Sequence, residues 1–194
     1  YMSNILEEDL RKLDDDTDYN RKKAELLLRS LARNEATTAS DMSLLKDIAA
    51  QDDETISRNT VDKYLDAFNR MFLLNNQPPF SPNLRSSLRV KQAEKRHFAD
   101  PAMACALLNI TSQKLIGDLN TFGFMFEALA EHDLAVYAQA FGAKLYHYQD
   151  YNGNEIDAVL ELEDGDWCAF EIKLGANKAD EGANNLVKVS KAIE

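Results

Sequence analysis

Apolar positions recur at helical spacing through the first third of the chain. Ala24, Leu27, Leu28 and Leu31 fall on one side of a helix that Asn20 caps and that runs to about Arg33. Ser40 stands where it can cap a second helix over 41–50, and Val61, Tyr64, Leu65 and Phe68 predict a third from about Ser57 to Met71. Ahead of these, residues 3–13 read as a short amphipathic helix that runs into the acidic stretch 14–18, a connector. Phe72 to Leu74 follow the third helix as a short strand, and Gln77 to Pro82, with three of the four prolines, mark a boundary.

The pattern changes in the second half. A strand over 95–99 leads to a helix opened by Asp100-Pro101, where proline suits the first helical position. A longer helix spans about Phe122 to Phe141, with Phe122, Phe124 and Phe126 expected in the core and a stripe of small residues around Glu127 (Gly123, Ala130, Ala138) that would let it approach a sheet. Residues 143–149, 155–162 and 167–174 read as three strands, joined by Asn152-Gly153 and by Glu163-Asp164-Gly165, and 178–193 return to helix. The chain is therefore a mixed α+β (α/β) protein in three parts: a connector helix over 1–19, a winged-helix-like segment over 20–82, and a domain over 83–194 with an αβββα core. The third helix of the first segment offers Arg58, Lys63 and Arg70 against Asp62 and Asp66, a slight basic character that favours a packing module over a DNA reader.

Turn chemistry fixes a register. A three-residue loop ending in a left-handed Gly165 sets Asp157 opposite Glu171, and a two-residue Asn152-Gly153 loop sets Tyr148 opposite Asp157 and Lys144 opposite Glu161. Side chains alternate across a strand, so Asp157, Glu171 and Lys173 share one face. Ile156, Ala158, Leu160, Leu162, Cys168, Phe170 and Ile172 form the other, which is expected to be the core.

Charge narrows the partners. The 194 residues carry 22 Lys and Arg against 33 Asp and Glu, a net charge of −11. The second half is the acidic one, and the one basic cluster, Arg85, Arg89, Lys91, Lys95 and Arg96, lies just before it. Such a chain has little with which to neutralise phosphates unless a cation or a partner helps. No apolar run approaches the roughly 20 residues of a membrane span, and the start is no signal peptide, so a soluble, cytoplasmic protein is expected. Tyr1 ahead of Met2 suggests a piece of a longer protein. The two cysteines, Cys105 and Cys168, lie in apolar stretches and read as buried thiols without a zinc pattern.

Candidate chemistry sits on the acidic face. Two facing carboxylates repel unless a proton or cation lies between them. Mg2+ or Mn2+ on Asp157 and Glu171 could polarise a phosphoryl oxygen and activate a water, with Lys173 orienting it, and Glu127 could complete the metal shell. That is phosphodiester hydrolysis. The same three residues also arise as a plain cross-strand ion pair, and Glu127 as a solvated acid. His147, on the apolar face, reads as a satisfied core histidine, and His97 and His132 have no partner at ligand spacing.

The runs "KRHFADPAMACALL", "TFGFMFEALAEHDLAVYAQAFGAKLYHYQD" and "NEIDAVLELEDGDWCAFEIKLG" closely resemble the domain of unknown function (DUF4143) C-terminal to AAA-type ATPase domains in bacteria. Through "LLLRSLARNEATTASDMSLLKDIA" and "TVDKYLDAFNRMFLLNNQPPF" the resemblance covers nearly the whole chain. It implies a winged-helix segment followed by a domain similar to PD-(D/E)XK nucleases, with catalytic and metal-binding acids at Asp157, Glu171 and Glu127 and the lysine at Lys173. Ile156 stands where those nucleases often carry proline. No GxxxxGK[ST] loop occurs, so the resemblance places ATP binding in an upstream ATPase domain of the same protein. Two functions follow: a metal-dependent nuclease-like domain acting on DNA, or a non-enzymatic regulatory or assembly domain of the ATPase. A homo-oligomer is compatible with either.

Overall fold

The computed structural model describes residues 19–54, 56–81 and 93–193. The expected helix over 3–13, the acidic connector over 14–18 and the basic side chains Arg85, Arg89 and Lys91 lie outside the described residues. The chain forms two compact units, one of residues 1–75 with 96–110, the other of residues 76–95 with 111–194.

The first unit is helical. α1 (Arg21–Arg33), α2 (Asp41–Gln51) and α3 (Arg58–Arg70) each begin at a side-chain cap, Asn20, Ser40 and Ser57, whose oxygens accept the backbone N–H three residues on. α4 (Pro101–Leu107) starts from Asp100, with proline in its first turn. α1 packs against each of the other three, and Leu27, Leu28, Leu31, Leu44, Val61 and Phe68 are buried. The expected strands over 72–74 and 95–99 are corrected here: Phe72 has a positive φ past the helix end, and Leu74 meets Phe98 in an isolated bridge. Buried Glu35 accepts from Phe98 N at 3.1 Å and lies 3.0 Å from His97 Nδ1. Cys105 is half-buried, and burial, with Glu35 and Asp100 nearby, raises its thiol pKa.

The second unit holds the sheet. α5 (Ser112–Gly117), capped by Thr111, precedes the long α6 (Leu119–Ala140). β1 (Lys144–Gln149), β2 (Glu155–Glu161) and β3 (Trp167–Phe170) form an antiparallel sheet in that order. A 3-10 turn (Ala176–Lys178) leads into α7 (Ala179–Ile193). α6 lies against β1 and β2, and α7 against β2 and β3.

The register confirms one turn and corrects the other. Ala158 faces Phe170 and Glu161 faces Trp167, as a loop ending in Gly165 at φ 89° requires. Lys144 faces Glu161 as expected, but Tyr148 faces Ile156 and not Asp157. Two β2 residues, Asp157 and Ala158, stand against one β1 residue, His147, so β2 bulges at Asp157. The loop is correspondingly longer than two residues: Asp150 N bonds Asn154 O, and the Asp150 carboxylate accepts from Asn152 N and Asn154 N. His147 gives its backbone N–H to Pro78 O, takes Phe80 N at its carbonyl, and its Nε2 lies 2.9 Å from Ala93 O, a satisfied histidine.

The expected core face is corrected in part, since Ile156 and Ala158 are buried as expected. Phe80, Tyr148, Ile156 and Val159 pack with Val189 and Ile193 of α7, and Trp167, Ala169 and Leu186 join them. The bulge turns Ile156 and Val159, opposite Tyr148 and Tyr146, to the same side, and Trp167 and Ala169 belong to the alternation that carries Glu171, while Cys168 and Leu162 are exposed. α7 covers the face on which Glu171 lies, so this acid sits at the rim of a core and not on an open surface. Phe124 and Phe126, expected inside, are exposed, and nothing approaches Gly123 within 4 Å of an added Cβ.

Candidate functional site

The β2 bulge places Asp157 at the centre of the second unit's charged groups. Its Oδ2 accepts Ile172 N at 2.7 Å. That bond explains why β3 ends at Phe170: beyond it, the backbone N–H of Ile172 goes to a side chain, and the ladder stops before Glu171. Lys173 then turns its Nζ to within 2.7 Å of Glu171 Oε1 and 3.5 Å of Asp157 Oδ2. The three residues therefore meet, with the lysine joining the acids.

α7 holds this group in place. A Cβ on Gly182 would come within 3.2 Å of Glu171 Cγ and 3.4 Å of Lys173 Cγ, so a side chain here would press on both residues, and glycine lets the helix pass this close without displacing them. One turn on, Asn185 Nδ2 donates to Glu171 Oε1 at 3.2 Å and to Glu155 O at 3.0 Å. Glu171 Oε2 is buried without a hydrogen-bond partner. Burial raises the Glu171 pKa, Asp157 adds to the rise, and Lys173 opposes it. For Lys173 burial acts downward, but its hydrogen bond to Glu171 and the charge of Asp157 outweigh it, and its pKa lies above the ordinary value. A cleft of about 400 Å3 opens beside Glu171 and Lys173, floored by Ala176, Ala179 and Ala183.

A second lysine meets the remaining acids. Lys95 Nζ lies 2.5 Å from Glu127 Oε1, 2.7 Å from Glu131 Oε1 and 3.4 Å from Asp157 O. The same carbonyl accepts Gln77 Nε2 at 3.2 Å, and Gln77 and Lys95 exchange backbone hydrogen bonds of 2.9 Å. Burial pulls the Lys95 pKa down, yet Glu131, Glu127 and Asp157 together carry it well above the ordinary lysine value. Glu127 is pushed up to about 7, chiefly by burial and against the pull of Lys95. One ammonium shared among several acceptors cannot fully compensate each of them.

Of the four expected site residues, Asp157, Glu171 and Lys173 form one cluster, and Glu127 is held in another by Lys95. Reasoning from sequence missed Lys95, Glu131 and Gln77. A signal existed for the first two: acids at i and i+4 on one side of a helix repel and call for a shared cation. Among the described residues no three His, Cys, Asp or Glu side chains form a group able to hold a metal ion. The cations standing at these acids are lysine ammoniums. What the arrangement offers chemically is a proton-exchanging carboxyl at Glu127, an acceptor oxygen at Glu171, and an ammonium at Lys173 beside a cleft.

Fold and site together define a two-unit α+β protein whose sheet unit encloses a carboxylate and lysine centre. The chain belongs to the family described as Domain of unknown function (DUF8612), whose model matches residues 1–114. Residues 122–194 match a second family, Domain of unknown function (DUF4143). No curated protein and no solved structure matches the chain. No described helix is long and apolar enough to cross a membrane.

Proposed function

We propose that this chain is the C-terminal part of a bacterial AAA-type ATPase, and that its second unit is a nuclease-like domain working as a regulatory or assembly domain for the ATPase without cleaving nucleic acid. In this reading the helical unit is its winged-helix-like neighbour. One observation carries the reading: an ammonium from the chain itself stands at each acid that a metal shell would use. Lys173 joins Asp157 to Glu171, and Lys95 holds Glu127. Acids already neutralised in this way have a weakened reason to recruit a divalent ion. A net charge of −11 also leaves DNA without an evident grip.

A second reading, metal-dependent phosphodiester hydrolysis on DNA, has its own support in Glu171 Oε2, which is buried and accepts no hydrogen bond. Here Asp157 and Glu171, with Glu127, would hold Mg2+ or Mn2+. The ion would supply a polarised phosphoryl oxygen and a water of lowered pKa. Lys173 would leave the acids and stabilise developing negative charge.

Melting the chain with millimolar magnesium or manganese, alongside a plasmid-cleavage assay, separates the two. The regulatory reading expects no cleavage, and any metal shift to be equal in wild type and Asp157→Asn. An ion bound only by the folded chain at about 100 times its Kd stabilises it by about 2.7 kcal/mol. A shift of that size absent from Asp157→Asn, with cleavage lost in Lys173→Ala, would establish the enzyme instead.

A further inference from the structure

α6 is built inside out. Successive residues step about 100° around a helix axis, which puts Glu127, Ala128, Glu131 and Ala138 on one side. That side faces the interior over most of its length: Ala128, Glu131 and Ala138 are buried and both acids bind Lys95, while Phe124 near its start is 38% exposed and Met125, at the border of the two sides, is buried. The opposite side carries Phe126, Leu129, Val136 and Tyr137, and these are 38%, 51%, 51% and 62% exposed. Leu119 and Phe141 extend the row to both ends of the helix and are also exposed. A surface helix ordinarily turns its charges outward and its apolar residues inward. Here Lys95 draws the acids in, and the apolar row is left largely exposed. A continuous apolar strip along a helix of 22 residues marks an interaction surface, where scattered single residues would not.

Charge selects the occupant. Between Lys114 and Lys144 the chain has neither lysine nor arginine. The exposed ionised groups of α6 and its cap are Asp118 and Asp133, and Asp133 lies within the apolar row itself. The same helix of a second copy would bring no lysine or arginine to Asp133, and a phosphate-bearing surface would meet only acids. An amphipathic helix whose apolar stripe is flanked by lysine or arginine matches both the row and its charge. At about 1.5 Å per residue, six turns of α6 offer about 33 Å of such a groove wall.

We propose that the outer side of α6 is the docking surface for a basic amphipathic helix of a protein partner. The proposal is independent of whether the acidic centre is catalytic.

The test uses the whole chain and three fluorescent helical peptides of about 20 residues. One carries a leucine stripe flanked by lysines, one the same stripe flanked by glutamates, and one lysines without the stripe. At physiological ionic strength the Leu/Lys peptide should bind wild type at least about tenfold more tightly than either control. Leu129→Asp combined with Val136→Asp should weaken that binding by at least about tenfold while leaving the melting temperature unchanged, since both positions are exposed. Asp133→Lys should weaken it by a smaller factor. The proposal is overturned if the Leu/Lys peptide binds no better than a control, or binds the double variant as well as wild type. It is equally overturned if the double variant melts early, which would give the row to the fold. A wild-type dimer in sedimentation that Leu129→Asp dissociates would give it to a second copy.

Discussion

Two lysines of the sheet unit meet largely buried carboxylates, and their circumstances are opposite. The Lys95 side chain is 9% exposed and spends its ammonium on Glu127, Glu131 and the carbonyl of Asp157. The Lys173 side chain is 30% exposed, leans on Asp157 and Glu171, and borders a cleft. The bulged residue Asp157 joins the two, its carbonyl in one cluster and its carboxylate in the other. The difference separates framework from addressable site. A buried ammonium with three acceptors has no alternative partner, whereas a partly exposed one can exchange its carboxylates for water, an ion or a ligand. The framework cluster is also composite: Lys95 falls within the DUF8612 match, and Glu127 and Glu131 fall within the DUF4143 match.

The comparison is broken most directly at Lys95. Lys95→Met leaves two buried acids without their cation, and removing one partner of a buried ion pair costs about 3–5 kcal/mol. Urea denaturation should show a loss of that order. Adding Glu127→Gln and Glu131→Gln should restore most of it, because an uncharged site of similar shape has no stranded charge. A loss below about 1 kcal/mol in Lys95→Met would mean that water reaches the cluster and that the framework role is wrong.

A smaller effect is expected from pH. The Glu127 carboxyl, ordinarily near 4.5, titrates at about 7 in the folded chain, so between these values the folded state holds a proton that the unfolded state has released. Its contribution to stability is therefore full below about 4.5 and is lost as pH rises through about 7. Wild type should lose stability relative to Glu127→Gln over that window, by an amount on the order of 2 kcal/mol, and the difference should level off above it. A difference that stays constant with pH would show that Lys95 keeps Glu127 ionised throughout.

Local chemistry was legible in the sequence, and long-range compensation was not. The caps at Asn20, Ser40, Ser57 and Asp100 were readable because a cap needs only its own next few residues. The β2 and β3 register was readable for the same reason, since Gly165 fixes the turn. The β2 bulge was hidden because its cause is remote: His147 pairs with Pro78 and Phe80, and Gln77 and Lys95 take the Asp157 carbonyl. Lys95 was likewise hidden, 32 and 36 residues from the acids that it serves. The aromatics of α6 misled because apolar residues read as core, and a helix that buries its acids inverts that rule.

The smallest effect is expected at Lys173, and it sharpens the comparison most. Its removal leaves Asp157 and Glu171, whose side chains are 10% and 5% exposed, without their shared cation, but Asp157 keeps the Ile172 N–H and Glu171 keeps Asn185. Lys173→Met should therefore cost less than Lys95→Met, on the order of 1–2 kcal/mol, because the lysine is partly exposed and both acids keep other partners. The informative readout is metal response. Without its ammonium the pair becomes a concentrated negative site, so manganese should raise the melting temperature of Lys173→Met by more than that of wild type, and Asp157→Asn in the same background should cancel the gain. If the lysine's removal leaves the metal response unchanged, Lys173 is not what occupies the cation position. The two clusters would then differ only in exposure and not in what they can exchange.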